Sequence, residues 1–166
     1  MSIVTKRRSI RQYTQEAVNE TEIMEILKAA MSAPSAHNQQ PWHFVVIDDR
    51  GIMDEIMIVH PHSKMLVGAP LSILVCGDTT NMKAPEYLAQ DCSAAVMNML
   101  IRITELGLGG VWLGVHPNAP REEGMRKVVK IPSHIVPFAL ISLGHPAEEI
   151  LPSDRFDSSK IHQNKW

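Results

Sequence analysis

One long helical pattern, from about Pro85 to Leu106, limits the folds open to this chain more than any other feature. Apolar residues recur at helical spacing along one face of the pattern, and further apolar residues widen that face. These positions are Leu88, Cys92, Ala95, Val96, Met99, Ile103 and Leu106, widened by Ala94, Met97 and Leu100. A helix that is apolar nearly all round is usually buried. We therefore expect it to form either the central core or an interface between subunits.

Shorter patterns on both sides of this helix predict strands that alternate with helices. Apolar runs predict strands over residues 42–47, 71–76, 111–115 and 138–143. Helices are predicted over 2–8, 52–59 and 120–130, and Asn19 with Glu22 forms a capping box for a helix that ends before Pro34. The alternation indicates a mixed α/β or α+β sandwich, and the long connections leave the strand order open.

Length and composition are those of one globular domain, because 166 residues can bury a sizeable core. The formal net charge of −2 argues against nucleic acid or an anionic membrane as a partner. No segment has the length of a membrane span or the apolar core of a signal peptide, so we expect a cytoplasmic protein. Cys76 and Cys92 lie in apolar segments and are expected to be buried free thiols.

A basic segment near the N-terminus, Arg7-Arg8-Ser9-Ile10-Arg11, has the groups that bind a phosphate. Guanidinium groups make paired, charge-assisted hydrogen bonds to phosphate oxygens, and the hydroxyl of Ser9 adds another donor. If the chain is extended after Ser9, the side chains of Ser9 and Arg11 point to the same side. The alternative is a basic terminus that is simply solvated.

A polar loop between two prolines, Pro34 to Pro41, has the groups that recognise a flat heteroaromatic ring. Its side chains include a hydroxyl, an imidazole and three amides, and amides both donate and accept hydrogen bonds. The loop lies between a predicted packed helix and a predicted strand, as binding loops often do. The alternative is an ordinary connection whose prolines end the helix.

Other sequence features point to fewer functions. The glycine-rich segment from Gly107 to Gly114 follows a helix and leads into a strand, which is the reverse of the order in a dinucleotide fingerprint. Its glycines can bring backbone groups and the face of Trp112 close to a planar ligand. The alternative is a turn with a structural role alone. The histidines lack metal-ligand spacing, and no nucleophile elbow is present, so we expect no metal and no hydrolase triad. We expect Asp91 to make a structural hydrogen bond, and Trp166 to dock on another surface.

The order of several motifs resembles the FMN-dependent nitroreductases, in a compact, short-chain form. In the first half of the chain these motifs are Arg7-Arg-Ser-Ile-Arg11, Ala33-Pro-Ser-x-x-Asn-x-Gln-Pro-Trp42, Lys64-Met-Leu66 and Ala69-Pro70. In the second half they are Glu105-Leu-Gly-Leu-Gly-Gly-Val-Trp-Leu-Gly114, Ile131-Pro132, Ser142-Leu-Gly-His-Pro146 and Arg155-Phe-Asp157. The match spans essentially the whole chain.

The resemblance implies an α+β fold, a nitroreductase-like α/β sandwich with a central mixed, mainly antiparallel sheet flanked by helices, in an intertwined homodimer. Residues 1–166 would be a single FMN-binding domain, with a C-terminal arm of about 151–166 extending onto the partner subunit. The implied cofactor-binding residues are Arg7, Arg8, Ser9, Arg11, Pro34, Ser35, Ala36, Asn38, Gln39, Lys64, Trp112, Leu113, Gly114 and Arg155. Of these, Pro34, Ser35, Ala36 and Asn38 would contact the flavin of the other subunit.

The implied activity is that of an NAD(P)H oxidoreductase that passes two electrons by a ping-pong mechanism to nitroaromatic, quinone or similar acceptors. The flavin N5 would receive the hydride from NADH or NADPH, so no side chain is expected to act as a catalytic group. Larger members have a glutamate where Gly114 aligns, and its absence leaves the choice between NADH and NADPH open. The alternatives are a flavin-binding sensor or carrier without turnover, or an enzyme similar to the flavin-dependent reductive dehalogenases.

Overall fold

Four antiparallel strands form the central sheet in the computed structural model, which describes residues 2–166. The order across the sheet is β1 (Trp42–Ile47), β2 (Leu71–Asp78), β4 (Ile135–Gly144) and β3 (Gly109–Gly114). The two central strands are β2 and β4, and their apolar sequences are buried on both faces. A parallel bridge between Ser9 and Gly110 adds the N-terminal segment to the free edge of β3.

Helices cover both faces of this sheet, which confirms the predicted α+β sandwich. One face packs against α2 (Glu20–Met31) and α4 (Leu88–Glu105), and the other against α3 (Arg50–Val59) and α5 (Ala119–Val129). Alternate residues of each strand serve the two faces, as the pleat requires. A short helix, α1 (Ile3–Lys6), precedes the sheet. Among the described residues, no helix has both the length and the hydropathy needed to cross a membrane.

The predicted elements agree with the observed ones to within a few residues. The capping box of α2 is formed by Asn19 and Glu22, whose side chains each bind the other residue's backbone N–H. A 3₁₀ turn, Pro85–Tyr87, precedes α4, so the α-helix begins later than predicted. Cys76 and Cys92 are buried free thiols, as predicted, and they belong to the cores on opposite faces of the sheet.

Helix α4 is central to the core but is not completely covered within one chain. Its face toward the sheet is buried, with Cys92, Val96 and Met99 inaccessible to solvent. Apolar residues on its other side, such as Met97 and Ile101, are only half-buried. The helix therefore has a second apolar face that its own chain covers only in part.

The buried phenol of Tyr13 makes stability sensitive to alkaline pH. Its hydroxyl donates to the Ile10 carbonyl at 2.7 Å and accepts from Ser142 Oγ at 3.1 Å. Burial is the main cause that raises the pKa of Tyr13 from 10.0 to about 12. The unfolded chain therefore loses this proton at lower pH than the folded chain, and the stability present below pH 10 is lost as pH rises toward 12.

We expect the free energy of unfolding to fall by about 1 kcal/mol between pH 8 and 11 because of Tyr13 alone. Urea titrations at the two pH values measure this change in the native protein and in Tyr13→Phe, in which the contribution should vanish. The matched control is Tyr87→Phe, because Tyr87 is 46% exposed. Burial also raises the pKa of Cys76 and Cys92 to about 12, and this contribution is common to all three proteins. An equal pH dependence in Tyr13→Phe and the native protein would contradict the expectation.

Candidate functional site

Three arginines from distant parts of the sequence form a cationic cluster where α1 meets the C-terminal segment. Arg7 and Arg8 follow α1 directly, and Arg155 is close enough to Arg7 to repel its charge. The Arg8 Nε donates to the Leu151 carbonyl at 3.0 Å, which ties the start of the C-terminal segment to this cluster. A cavity of about 560 Å³ lies between α1 and this segment, with Arg8 and Arg155 in its wall.

Two nitrogen atoms of this cluster have no hydrogen-bond partner among residues 2–166. Arg7 Nε and Arg8 Nη2 are buried and make no hydrogen bond within the described residues. Leaving a buried donor unsatisfied costs about 1–3 kcal/mol, and more if the group is charged. Burial, and then repulsion from Arg8 and Arg155, lowers the pKa of Arg7. A phosphate dianion would satisfy the donors and neutralise the repulsion, so the cluster fits a phosphate.

The glycine-rich segment explains how the neighbouring residues Ser9 and Arg11 are positioned. A Cβ atom on Gly109 would lie only 2.6 Å from Ile10 Cγ2, so glycine lets the N-terminal segment approach β3 closely. The Ser9–Gly110 bridge and a hydrogen bond from Ile10 N to the Gly110 carbonyl fix the register. The Arg11 side chain turns back to donate to the Ser9 carbonyl at 3.2 Å. Backbone packing is therefore one purpose of the motif.

A second cavity, of about 570 Å³, lies at the end of β3 and contains the other predicted ring-binding residues. Its predicted lining residues are Arg11, Lys64, Trp112, Leu113 and Gly114. Its remaining lining residues, which the sequence did not indicate as ligands, are His60, Pro61, His62, Met65 and Arg121. The fold thus brings the end of β3 together with the turn after α3, the 3₁₀ helix Lys64–Val67 and the first turn of α5.

Two of these additional residues bind the same backbone atom. His60 Nε2 and Arg121 Nη1 each lie 3.0 Å from the carbonyl oxygen of Gly114. Burial is the largest cause that lowers the pKa of His60, and the nearby Arg121 and His62 contribute. A neutral His60 can donate through Nε2, and this pair of donors fixes the Gly114 peptide at the cavity wall. No local motif signals the contact from His60, because His60 lies far from Gly114 and Arg121 in the sequence.

The loop from Pro34 to Gln40 is shaped by hydrogen bonds within the chain. Buried Asp91 accepts from the Ala36 backbone N at 2.9 Å and from Gln39 Nε2 at 2.6 Å, so its expected structural role is confirmed. Gln39 also exchanges two hydrogen bonds with the backbone of Ala84, which occupies its side-chain amide. Ser35 Oγ accepts from the Gln40 backbone N at 3.0 Å.

Other groups of the loop remain open to a ligand. Asn38 is exposed, and its side chain makes no hydrogen bond within the described part of the chain. It has a φ of 52°, a left-handed conformation that asparagine tolerates. The exposed amide of Asn38 therefore belongs to a loop that Asp91 fixes to the start of α4.

One chain does not bring this loop to the arginine cluster. Gln39 is fixed at the start of α4, whereas Arg8 lines a small cavity with Thr104 and Gly107 at the end of that helix. The 18 residues of α4 span about 27 Å. None of the residues that line the two cavities described above comes from the loop.

Comparison with known proteins gives one family. The family model described as "Nitroreductase family" matches residues 4–57 and 55–145. A protein of Methanothermobacter thermautotrophicus, provisionally named as an NADH dehydrogenase/NAD(P)H nitroreductase, is 45% identical over 166 residues. The alignment covers 100% of this chain and 87% of that protein.

Solved structures show the same fold. An FMN-dependent nitroreductase from Clostridium difficile R20291 superposes with a TM-score of 0.92 at 29% identity, over 99% of this chain and 98% of that chain. A protein from Desulfovibrio desulfuricans, provisionally named a nitroreductase and crystallised in complex with FMN, gives a TM-score of 0.86 at 33% identity. That superposition covers 99% of this chain and 95% of the other.

Proposed function

The chain belongs to the nitroreductase family, and we propose that it is an FMN-dependent oxidoreductase that passes two electrons from NADH or NADPH to a small-molecule acceptor such as a nitroaromatic or a quinone. Donor and acceptor would use the same cavity in turn, which gives ping-pong kinetics. We also place the protein in the cytoplasm, a compartment where thiols such as Cys76 and Cys92 stay reduced.

The unpaired nitrogens of the arginine cluster support FMN most directly. Arg7 Nε and Arg8 Nη2 are buried donors for which the described part of the chain supplies no acceptor, and the third cation Arg155 is close to Arg7. In our proposal these three side chains hold the FMN phosphate, and Ser9, next to them on the edge of β3, adds a hydroxyl. An apolar ligand could not satisfy these charges, so the fit requires an anionic group.

The cavity at the end of β3 would hold the ring. Bound FMN supplies the redox chemistry, because its ring accepts two electrons from NAD(P)H and passes them to the acceptor. Arg11 and Lys64 would bind the pyrimidine edge and favour negative charge on it. Trp112, Leu113 and Gly114 would present backbone groups to the ring, and the donors from His60 and Arg121 keep the Gly114 peptide in place.

We propose that the site is completed by a second subunit in a homodimer. Helix α4 has an apolar face that is only half-covered, and the 34–39 loop and the arginine cluster lie near opposite ends of this helix. Two chains that pair through α4 in opposite directions would place Pro34, Ser35, Ala36, Asn38 and Gln39 of each beside the flavin of the other. We also propose that residues 1–166 of each subunit form a single FMN-binding domain.

The C-terminal segment supports the same arrangement. Every residue from 151 to 166 is exposed, including Leu151, Phe156, Ile161 and Trp166. Large apolar side chains that stay exposed along a whole segment mark an interaction surface. We propose that this segment is an arm that lies on the partner subunit.

Anaerobic absorbance spectra of the purified protein test the proposed function. We expect a flavin spectrum that bleaches when NADH or NADPH is added and returns when a quinone is added. A flavin spectrum that neither donor bleaches would favour the sensor or carrier. Absence of a flavin spectrum, even after incubation with FMN, would contradict the assignment of the arginine cluster. The same titration ranks the two donors.

A further inference from the structure

We infer that the electron acceptor is a small planar anion, such as an aromatic carboxylate, whose charge is bound by Arg121 at the wall of the β3 cavity. The inference rests on the proposed function, because it concerns the second substrate of the same site. Three observations support it: the positive charge of the lining residues, the hydrogen bond from Arg121 to the Gly114 carbonyl, and the further N–H donors of the Arg121 guanidinium.

The cavity wall is strongly cationic. Arg11, Lys64 and Arg121 line it together with two histidines, and none of its lining residues has a carboxylate. Two of these cations, Arg11 and Lys64, would be used by the flavin ring. Arg121 is then a permanent positive charge in excess of what the cofactor needs, beside the space where the acceptor binds.

Arg121 is also held in a position suited to this task. Its backbone N donates to Asn118 Oδ1 at 3.1 Å in the cap of α5, and its side-chain Nη1 donates to the Gly114 carbonyl at 3.0 Å. Gly114 lines the part of the cavity where the flavin ring would lie, and the Arg121 guanidinium is bonded directly to its carbonyl. The planar guanidinium has further N–H donors, which suit a carboxylate.

An acceptor explains this charge better than the donor does. The phosphates of NAD(P)H are separated from the nicotinamide by a ribose, whereas Arg121 is bound directly to the peptide that would contact the ring. A carboxylate on a flat aromatic acceptor would reach Arg121 while the ring of the acceptor stays over the site. A donor phosphate at Arg121 is the rival outcome of the test.

The test compares two acceptors of nearly equal shape, 4-nitrobenzoate and neutral 4-nitrobenzamide. Reduction of either nitro group to nitroso consumes two electrons and two protons and releases water. The holoprotein is reduced with dithionite, freed of excess reductant and mixed anaerobically with each acceptor in a stopped-flow instrument. For each protein, the rate with 4-nitrobenzoate is divided by the rate with 4-nitrobenzamide. The ratio of a variant is then compared with the ratio of the native protein, so that the different intrinsic reactivities of the two acceptors cancel.

We expect Arg121→Gln to lower this ratio about 10- to 100-fold, as loss of a charge-assisted contact implies. Arg121→Lys should recover part of the preference. The control is Lys127→Gln on the same helix, an exposed cation that pairs with Glu123, and its ratio should stay within about twofold of the native value. An unchanged ratio in Arg121→Gln would overturn the inference.

Two further measurements separate this inference from the proposed function. Dithionite replaces NAD(P)H, so failure of both NADH and NADPH to bleach the flavin contradicts the proposed function but not the acceptor class. Calorimetric binding of 4-nitrobenzoate to the oxidised protein, weakened in Arg121→Gln, supports the inference without any turnover. If Arg121→Gln instead slows bleaching by NADH and leaves the acceptor ratio unchanged, Arg121 binds the donor phosphate and the inference is wrong.

Discussion

Replacing Arg7 with methionine is expected to weaken FMN binding about ten- to 150-fold while leaving the FMN-free protein at least as stable as the native one. A hydrogen bond to a charged group contributes about 1.5–3 kcal/mol, which corresponds to that range of affinity. Without FMN, Arg7 is a half-buried cation beside Arg8 and Arg155, and its Nε has no hydrogen-bond partner in the described structure. Methionine keeps the apolar part of the side chain and removes the repulsion.

The opposite signs of the two effects make this a specific test. Titration of flavin fluorescence measures FMN affinity, and thermal unfolding with and without FMN measures stability in each state. Lys6→Met is the matched control, because Lys6 is an exposed cation one residue away, in the last turn of α1. Unchanged FMN affinity in Arg7→Met would contradict the phosphate site. A large loss of stability in the FMN-free variant would show that Arg7 has a structural role instead.

Patterns that depend on neighbouring residues made much of the fold predictable. The capping box of α2 is local, and the strand β1 follows directly from an apolar run between polar breaks. The burial of α4 could be predicted because its apolar residues repeat over many turns. The strand order could not, since it depends on which distant strands pair, and the β1–β2–β4–β3 order leaves no local signal.

The candidate site was only partly predictable for the same reason. Arginines adjacent in sequence, Arg7 and Arg8, indicated an anion site by their residue type alone. His60 and Arg121 both contact the Gly114 carbonyl, but they are far apart in the sequence, so the sequence does not indicate that they lie close together. Gln39 has a residue type suited to a flavin, yet its amide is used by Asp91 and Ala84. Residue type therefore indicates what a side chain can bind, whereas the fold decides which partner it has.

A mixed dimer tests whether each site is built from two subunits. One chain would have Arg7→Met and the other Asn38→Asp, which preserves size and tolerance of the left-handed backbone but removes the amide donors. If Arg7 of one subunit and Asn38 of the other share a site, one site of this dimer has both changes and the second has neither. We expect one FMN bound with native affinity per mixed dimer, and weakened binding at both sites of each parent homodimer.

The mixed dimer is prepared by coexpressing the two chains with different affinity tags and purifying through both. The number of native sites is then read from an FMN titration and from the fraction of rapidly bleached flavin. A site formed within one chain predicts the reverse result, because every site of the mixed dimer would then contain one substitution and none would bind normally. The two arrangements differ by one complete site per dimer, a difference that does not depend on the exact cost of either substitution. Since the arginine cluster and the loop are fixed near opposite ends of an 18-residue helix, we expect the shared arrangement.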